Sequence, residues 1–168
     1  MPMIIRNEQP SDIASIARLT EAAFANAEHS SHTEHFIVDA LRRAGQLSVS
    51  LVAVENDAII GHVACSPVTL SSGATGWYGL GPISVAPDRQ GQGIGAALMH
   101  AALEQLRSLG GAGCVVLGDP GYYRRFGFQV HPGLELAGVP PEYFQALVFA
   151  GEAPRGVVQY HQAFESVE

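Results

Sequence analysis

Apolar residues recur along this chain at two periods, and the switches between them outline its elements. Ile4-Ile5-Arg6 reads as a short strand, and Pro10-Ser11-Asp12 then offers a helix start that Ser11 or Asp12 can cap. Ile13, Ile16, Thr20, Ala23 and Phe24 follow at helical spacing and predict a helix over about residues 11–26. Ser31 and Glu34 have capping-box spacing, and the stripe of Phe36, Ile37, Ala40, Leu41 and Ala44 predicts a second helix ending at Gly45. From Leu47 to Glu55 the period drops to two, turns at Asn56-Asp57 and resumes from Ala58 to Val68, the pattern of an antiparallel hairpin. After a turn over Ser71 to Gly76, Trp77 to Val85 reads as a strand interrupted by Gly81-Pro82, which implies a bulge or a lost ladder bond.

The longest helical stripe is Ile94, Leu98, Met99, Ala102, Leu103, Leu106 and Leu109, ended by Gly110-Gly111. Cys114 to Leu117 is a short apolar strand of the buried parallel type. Pro120 can open a short helix leading through Gly127 into Phe128-Gln129-Val130, and two strand candidates remain, Phe144 to Phe149 and Val157 to Phe164. No linker, internal repeat or low-complexity segment divides the chain, which predicts one domain over residues 1–168.

Composition narrows the function classes. A chain of 168 residues with 47% hydrophobic and 15% charged residues supports a real core and a cleft. It lacks an apolar run of about 18 residues, so no membrane partner is expected, and its first residues do not resemble an export signal, so the cytoplasm is the expected location. A net charge of -7 with nine Lys plus Arg argues against a nucleic-acid partner and is compatible with a cationic substrate. Cys65 and Cys114 lie in separate strand segments without metal-type spacing and read as buried reduced thiols.

Chemistry concentrates in Ala86-Pro87-Asp88-Arg89-Gln90-Gly91-Gln92-Gly93-Ile94-Gly95-Ala96, where three alternate glycines precede the long helix. A helix head carries unpaired amides and partial positive charge, so it can hold a phosphate; glycine lets the backbone approach, and Arg89 adds a mobile counter-charge. A merely tight strand-to-helix turn needs fewer glycines. The Rossmann spacing and position are not met, and no Gly-Lys-Ser/Thr follows for a Walker loop.

Gln90-Gly91-Gln92-Gly93-Ile94-Gly95 resembles the Gln/Arg-x-x-Gly-x-Gly/Ala signature of the GCN5-related N-acetyltransferases, on the strand–loop–helix where that family carries it. The element order is similar too, well over about residues 3–130 and in outline beyond. Leu80-Gly81-Pro82-Ile83-Ser84-Val85 and the run Gly118 to Phe128 resemble the YhbS-like subgroup. The resemblance implies a mixed α/β fold, a mostly antiparallel central sheet flanked by helices, and acetyl transfer from acetyl-CoA to a primary amine by direct attack in a ternary complex. A non-catalytic acyl-CoA-binding module is the alternative, and a binding protein for another phosphate-bearing ligand is a third. It implies that Arg89, Gln90 and the amides of Gly91, Gln92, Gly93, Ile94, Gly95 and Ala96 hold the pyrophosphate. Ile83, Ser84 and Val85 would line the pantetheine arm, with Pro120, Tyr123 and Phe126 across from it. The Gly81-Pro82 bulge would free the Ile83 N–H to polarise the thioester carbonyl.

The acceptor is expected to be a small-molecule or peptide amine, and the protein a monomer or homodimer. An alkylamine titrates near 10.4, so presenting it neutral at pH 7 costs roughly 4.6 kcal/mol and calls for a base. The strand from Trp77 to Val85 holds no carboxylate, where many family members carry Glu. The resemblance implies that the first two helices and their connection border the acceptor site, which makes Glu28, Glu34, His29, His32 and His35 the base candidates; Glu34 doubles as a helix cap. No metal is expected, since His29, His32 and His35 share a helix face only in part. His62 reads as an exposed strand residue. Tyr123, in preference to Tyr122, is the candidate to hydrogen-bond the leaving thiolate, its alternative role being packing beneath the cofactor.

Overall fold

Alternation along the central strands sorts the side chains into two helical layers. In the computed structural model, which describes residues 2–27 and 30–167, β1 (Ile4–Asn7), β2 (Val49–Glu55) and β3 (Ala58–Pro67) form an antiparallel meander behind α1 (Ile13–Phe24) and α2 (Glu34–Arg43). The β2–β3 connection turns through Asn56 and Asp57, both at positive φ (51° and 64°), the geometry of a tight hairpin. Val49, Leu51 and Ala53 point to one face, where α3 (Ile94–Ser108) lays Ile94, Leu98, Met99, Ala102, Leu103 and Leu106. Val52 and Val54 point to the other, against Ile16 of α1 and Val38 of α2. A Cβ on Gly61 would lie 2.8 Å from Leu98 Cδ1, so the absence of a side chain there sets how closely α3 approaches.

A short β4 (Thr69–Leu70) leads into β5 (Trp77–Val85), antiparallel to β3. β6 (Gly113–Leu117) then lies parallel to β5, is followed by α4 (Pro120–Arg124), and pairs antiparallel with β8 (Phe144–Val148). The main sheet thus runs β1-β2-β3-β5-β6-β8 with one parallel pair, the mixed α/β architecture expected. β4, β9 (Gly156–Gln159) and β7 (Leu134–Glu135) form a small second sheet around Val68, Leu70, Trp77, Leu134, Phe144 and Val158.

Several boundaries differ from the pattern-based reading. α1 begins at Ile13 because Pro10–Asp12 is a separate 3-10 turn, clamped by Asp12 accepting from Gln9 N–H and Arg6 Nη1, each at 2.7 Å. The Ser31/Glu34 capping box does not form: Ser30 donates to the Glu34 carboxylate, and Ser31 bonds Thr33. Phe128-Gln129-Val130 makes only an isolated bridge between Gln129 and Ala146. The final strand stops at Gln159, since His161 Nδ1 accepts from Ala163 N–H and starts a 3-10 turn over Gln162–Glu165. Cys65 and Cys114 are buried and unbonded, as expected, and burial pushes both thiols up. Among the described residues no helix is long and apolar enough to cross a membrane.

Candidate functional site

β5 and β6 pair only over Trp77 to Gly79 and Gly113 to Val115, and beyond that the strands part. From Leu80 to Val85 the edge of β5 facing β6 is free of ladder bonds to it, which opens a slot between two strands of one sheet. Between the pairs Val63 with Ile83 and Cys65 with Leu80, Gly81 and Pro82 oppose the single residue Ala64. That is the bulge the Gly-Pro interruption predicted, and the Gly81–Pro82 peptide is cis.

At the far end of β5 the chain turns through Pro87–Arg89 into the head of α3. Gly91 and Gly93 sit at φ 78° and 84°, a region costly for residues with a Cβ. Nothing lies within 4 Å of a Cβ built on either, so their need for glycine is conformational. Gly95 is helical, and the Tyr122 hydroxyl lies 3.2 Å from where its Cβ would stand. The first intrahelical bond of α3 is donated by Ala97 to Gly93 C=O, so the amides of Ile94, Gly95 and Ala96 face outward without a helical acceptor. They open on a cavity of about 320 Å³ lined by Val85, Arg89, Gln90, Gly91, Gly93–Ala96, Tyr122 and Arg125.

The candidate side chains fall into three groups. Arg89 lines the cavity but is held by Glu55 at 2.8 Å and Gln92 at 3.1 Å, while Gln90 donates back to Val85 C=O at 3.3 Å and closes the loop. Tyr123 and Phe126 pack beside α3 next to Tyr122, with the Tyr123 ring over Gly118, and Pro120 begins α4. Burial, then the neighbouring Tyr122, Asp119 and Cys114, push the Tyr123 hydroxyl up to about 12. Glu34 stands apart at the head of α2, its carboxylate taking the Ser30 hydroxyl at 2.7 and 2.8 Å. His35 stacks on Phe36 and lies 3.5 Å from Glu21, and His32 occupies a positive φ of 62°. Glu28 and His29 lie outside the described residues. Among the described residues no group of three His, Cys, Asp or Glu side chains is placed to hold a metal.

Two features were not anticipated. Arg125 stacks on the Tyr122 and Phe126 rings at 5.2 and 5.8 Å and presents a cation to the cavity; its spacing from Tyr122 was visible, but the cavity both residues line was not. His62, expected to be exposed, is fully buried. β3 is a central strand with both faces covered, so its polar-looking positions lie beneath α1 and α2. Ser50 lies 2.8 Å from His62 Nε2 and donates a short bond to Glu8, whose carboxylate takes Arg42 at 2.7 and 2.8 Å. Burial pushes His62 down to about 4, with Glu8 opposing and Arg42 reinforcing that shift. Burial alone would raise Glu8, but the bonds from Arg42 and Ser50 outweigh it and hold the carboxyl low.

This combination of a parted strand pair, a bulge and a glycine-headed helix is shared with known proteins. The profile of the Acetyltransferase (GNAT) family matches residues 13–128. The uncharacterized N-acetyltransferase YhbS of Escherichia coli (strain K12) is 35% identical, over 96% of this chain and 98% of that protein. A crystal structure of a GNAT family acetyltransferase from Brucella melitensis in complex with acetyl-CoA superposes with a TM-score of 0.87 at 50% identity, covering 97% and 98% of the two chains. That of Escherichia coli YhbS in complex with CoA gives 0.88 at 34% identity, covering 99% and 93%. The chain therefore belongs to the GNAT acetyltransferase family and is an acyltransferase.

Proposed function

We propose that this protein binds acetyl-CoA in the slot between β5 and β6 and transfers the acetyl group directly to a primary amine, without a covalent enzyme intermediate. The observation that carries the reading is that the free edge of β5 ends at Val85, which lines the same cavity as the outward amides of α3. The amides of Gly91 to Ala96 take the pyrophosphate, and Arg89 and Arg125 add positive charge. Pantetheine pairs with the backbone of Ile83 and Val85 as an added strand would. Acetyl-CoA bound in the Brucella relative and CoA bound in YhbS support acetyl-CoA as the ligand.

Beside the Gly81–Pro82 bulge the Ile83 N–H polarises the thioester carbonyl and holds the developing oxyanion. The Tyr123 hydroxyl serves the leaving sulfur by hydrogen bonding. With its hydroxyl near 12 and a thiol near 8.5, outright proton transfer would be uphill by more than 3 units. The amine enters beside α1 and α2, where Glu34 at the head of α2 is the candidate base, acting through water.

Release of CoA thiol from acetyl-CoA across a panel of alkylamines, amino-acid amides, aminoglycosides and peptides tests the reading. Amine-dependent release with at least one class is expected; binding without such release would leave an acyl-CoA-binding module. Tyr123→Phe is expected to slow the chemical step about tenfold, and single-turnover measurements check it. Unchanged turnover would remove Tyr123 from the mechanism.

A further inference from the structure

On the face of the sheet opposite α3, two bodies cover the strands. α1 and α2 lie over β2, where Ile16 and Val38 meet Val52 and Val54. The second sheet and the segment 130–141 lie over β6 and β8, where Leu134, Leu136 and Val139 pack with Val115, Phe144 and Ala146. The slot between β5 and β6 falls between these two covers. Where the strands begin to part, the Tyr160 ring occupies the place of a Gly79 side chain and covers that end of the slot.

Leu117 forms the lip of the slot on the side of β6. Gly79 pairs with Val115, so two residues further along the parallel strands Leu117 comes level with the Gly81–Pro82 bulge, beyond the last ladder pair. Its antiparallel partner on the other side is Phe144, and the two side chains share the face opposite α3 as cross-strand neighbours. Phe144 is buried, whereas Leu117, the adjacent Tyr143 and Val130 are all exposed. Exposed apolar side chains gathered beside an opening are the usual mark of a surface that meets a ligand.

Phe144 also lines a cavity of about 270 Å³. Buried Leu134 and half-buried Pro132, Leu136 and Val139 line it too, with exposed Val130 at its edge. Its ionisable lining residues, His131 and Glu135, are both exposed, so the buried part of the lining is apolar side chain. Close-packed interiors leave few voids larger than a water molecule. A dry apolar cavity of about 150 Å³ already holds benzene, so this one has room for a phenyl or indole group.

We propose that this cavity takes the apolar tail of the acceptor, and that the substrate is a primary amine whose nitrogen stands a short carbon spacer away from an aryl or similarly compact apolar group. The proposal rests on the amine-acetylation reading. Only β6 separates Phe144 from the slot. One strand spacing is about 4.8 Å, which a spacer of about two or three carbons crosses. With the ring against Leu134 and Phe144, the spacer passes over Leu117 and sets the nitrogen at the slot, level with the bulge beside the Ile83 N–H. Removing the ring from water supplies the affinity, and the spacer supplies the alignment. A polyamine or an aminoglycoside brings no apolar group to fill the cavity.

The test compares acetyl transfer to 2-phenylethylamine with transfer to 2-(2-methoxyethoxy)ethylamine, an amine with a polar tail. The wild type is expected to favour the aryl amine at least tenfold in kcat/KM, mainly through KM. Val139→Phe, which narrows the cavity, is expected to cut that preference at least fivefold. A wild-type preference below threefold, or one that Val139→Phe leaves intact, would overturn the proposal. Carbon-13 methyl NMR of the wild type saturated with CoA needs no variant: 2-phenylethylamine is expected to shift the Leu134, Leu136 and Val139 methyl signals and to show Overhauser contacts with them. Contacts confined to other methyls sink the assignment. A peptide that begins with phenylalanine offers the same ring and nitrogen at a chain end, and the faster of these two acceptors names the source of the amine. Thiol release with polar amines and no aryl preference removes the cavity alone, whereas no release with any amine of the wider panel removes the reading of function.

Discussion

The head of α3 and the seam beneath α1 and α2 both manage charge, by opposite means. At α3 the polar groups are main-chain amides without helical acceptors, fixed by glycine geometry and open to solvent. In the seam they are side chains from the end of β1, α2, β2 and β3, locked to one another, with Ser50 and His62 buried and Glu8 and Arg42 partly exposed. A backbone cradle keeps its shape if a side chain changes, and it fails when φ is denied. A buried network keeps its backbone and fails when one partner loses its proton or its charge. Each region is therefore broken by a different perturbation.

The largest expected effect is at the cradle. Gly93→Val puts a β-branched residue at φ 84°, a strain of roughly 1–2 kcal/mol, and sets a Cβ where a phosphate would approach. CoA affinity is expected to fall at least tenfold, measured by calorimetric titration, with a few degrees' loss in Tm. Affinity within twofold of wild type would mean that the cradle does not hold the diphosphate.

Next in size is the acid sensitivity of the seam. An unfolded imidazole titrates near 6.5, whereas buried His62 does so at about 4. Between those values the unfolded chain binds a proton that the native protein refuses, so stability is full above 6.5 and declines as pH falls toward 4. The loss contributed by His62 reaches roughly 3 kcal/mol at the low end. Glu8 and Asp12, both held below their ordinary values, add a loss in the same direction at lower pH. Urea midpoints measured from about pH 7.5 to about pH 4.5 should fall for the wild type and stay nearly level for His62→Gln over the upper part of that range. Parallel curves would place His62 in a wetter environment than its burial indicates.

The same contrast explains what could be read from the chain beforehand. The cradle is contiguous, and Gly91, Gly93 and Gly95 at the head of the longest stripe announce it by spacing alone. Gly81-Pro82 announces its bulge for the same reason, a local backbone constraint. The hairpin, the helices and the succession of the main strands along the chain follow from periodicity. The seam joins positions 8, 42, 50 and 62, and which of these meet depends on strand order and on what covers each face. His62 alternates like a solvent-facing residue, and only the placement of β3 at the sheet's centre turns it inward. The two-residue strands β4 and β7 were illegible because tertiary pairing, not propensity, defines them.

The smallest effect sharpens the comparison, because one residue of the cradle behaves like the seam. Arg89 lines the cavity at the head of α3 yet is paired with Glu55 at 2.8 Å, both side chains about a quarter exposed. A diphosphate at the amides of α3 must compete with that carboxylate for the guanidinium. Glu55→Gln removes the competing charge, leaves the loop backbone alone, and a partly exposed pair of this kind is worth only about 0.5–1 kcal/mol. CoA is therefore expected to bind two- to fivefold tighter in the variant, and the gain should shrink in high salt as the arginine's field is screened. Titrations of both proteins in low and high salt measure it. If the affinities coincide in low salt, Arg89 stays with Glu55 in the bound state, and the cradle works through its amides and Arg125.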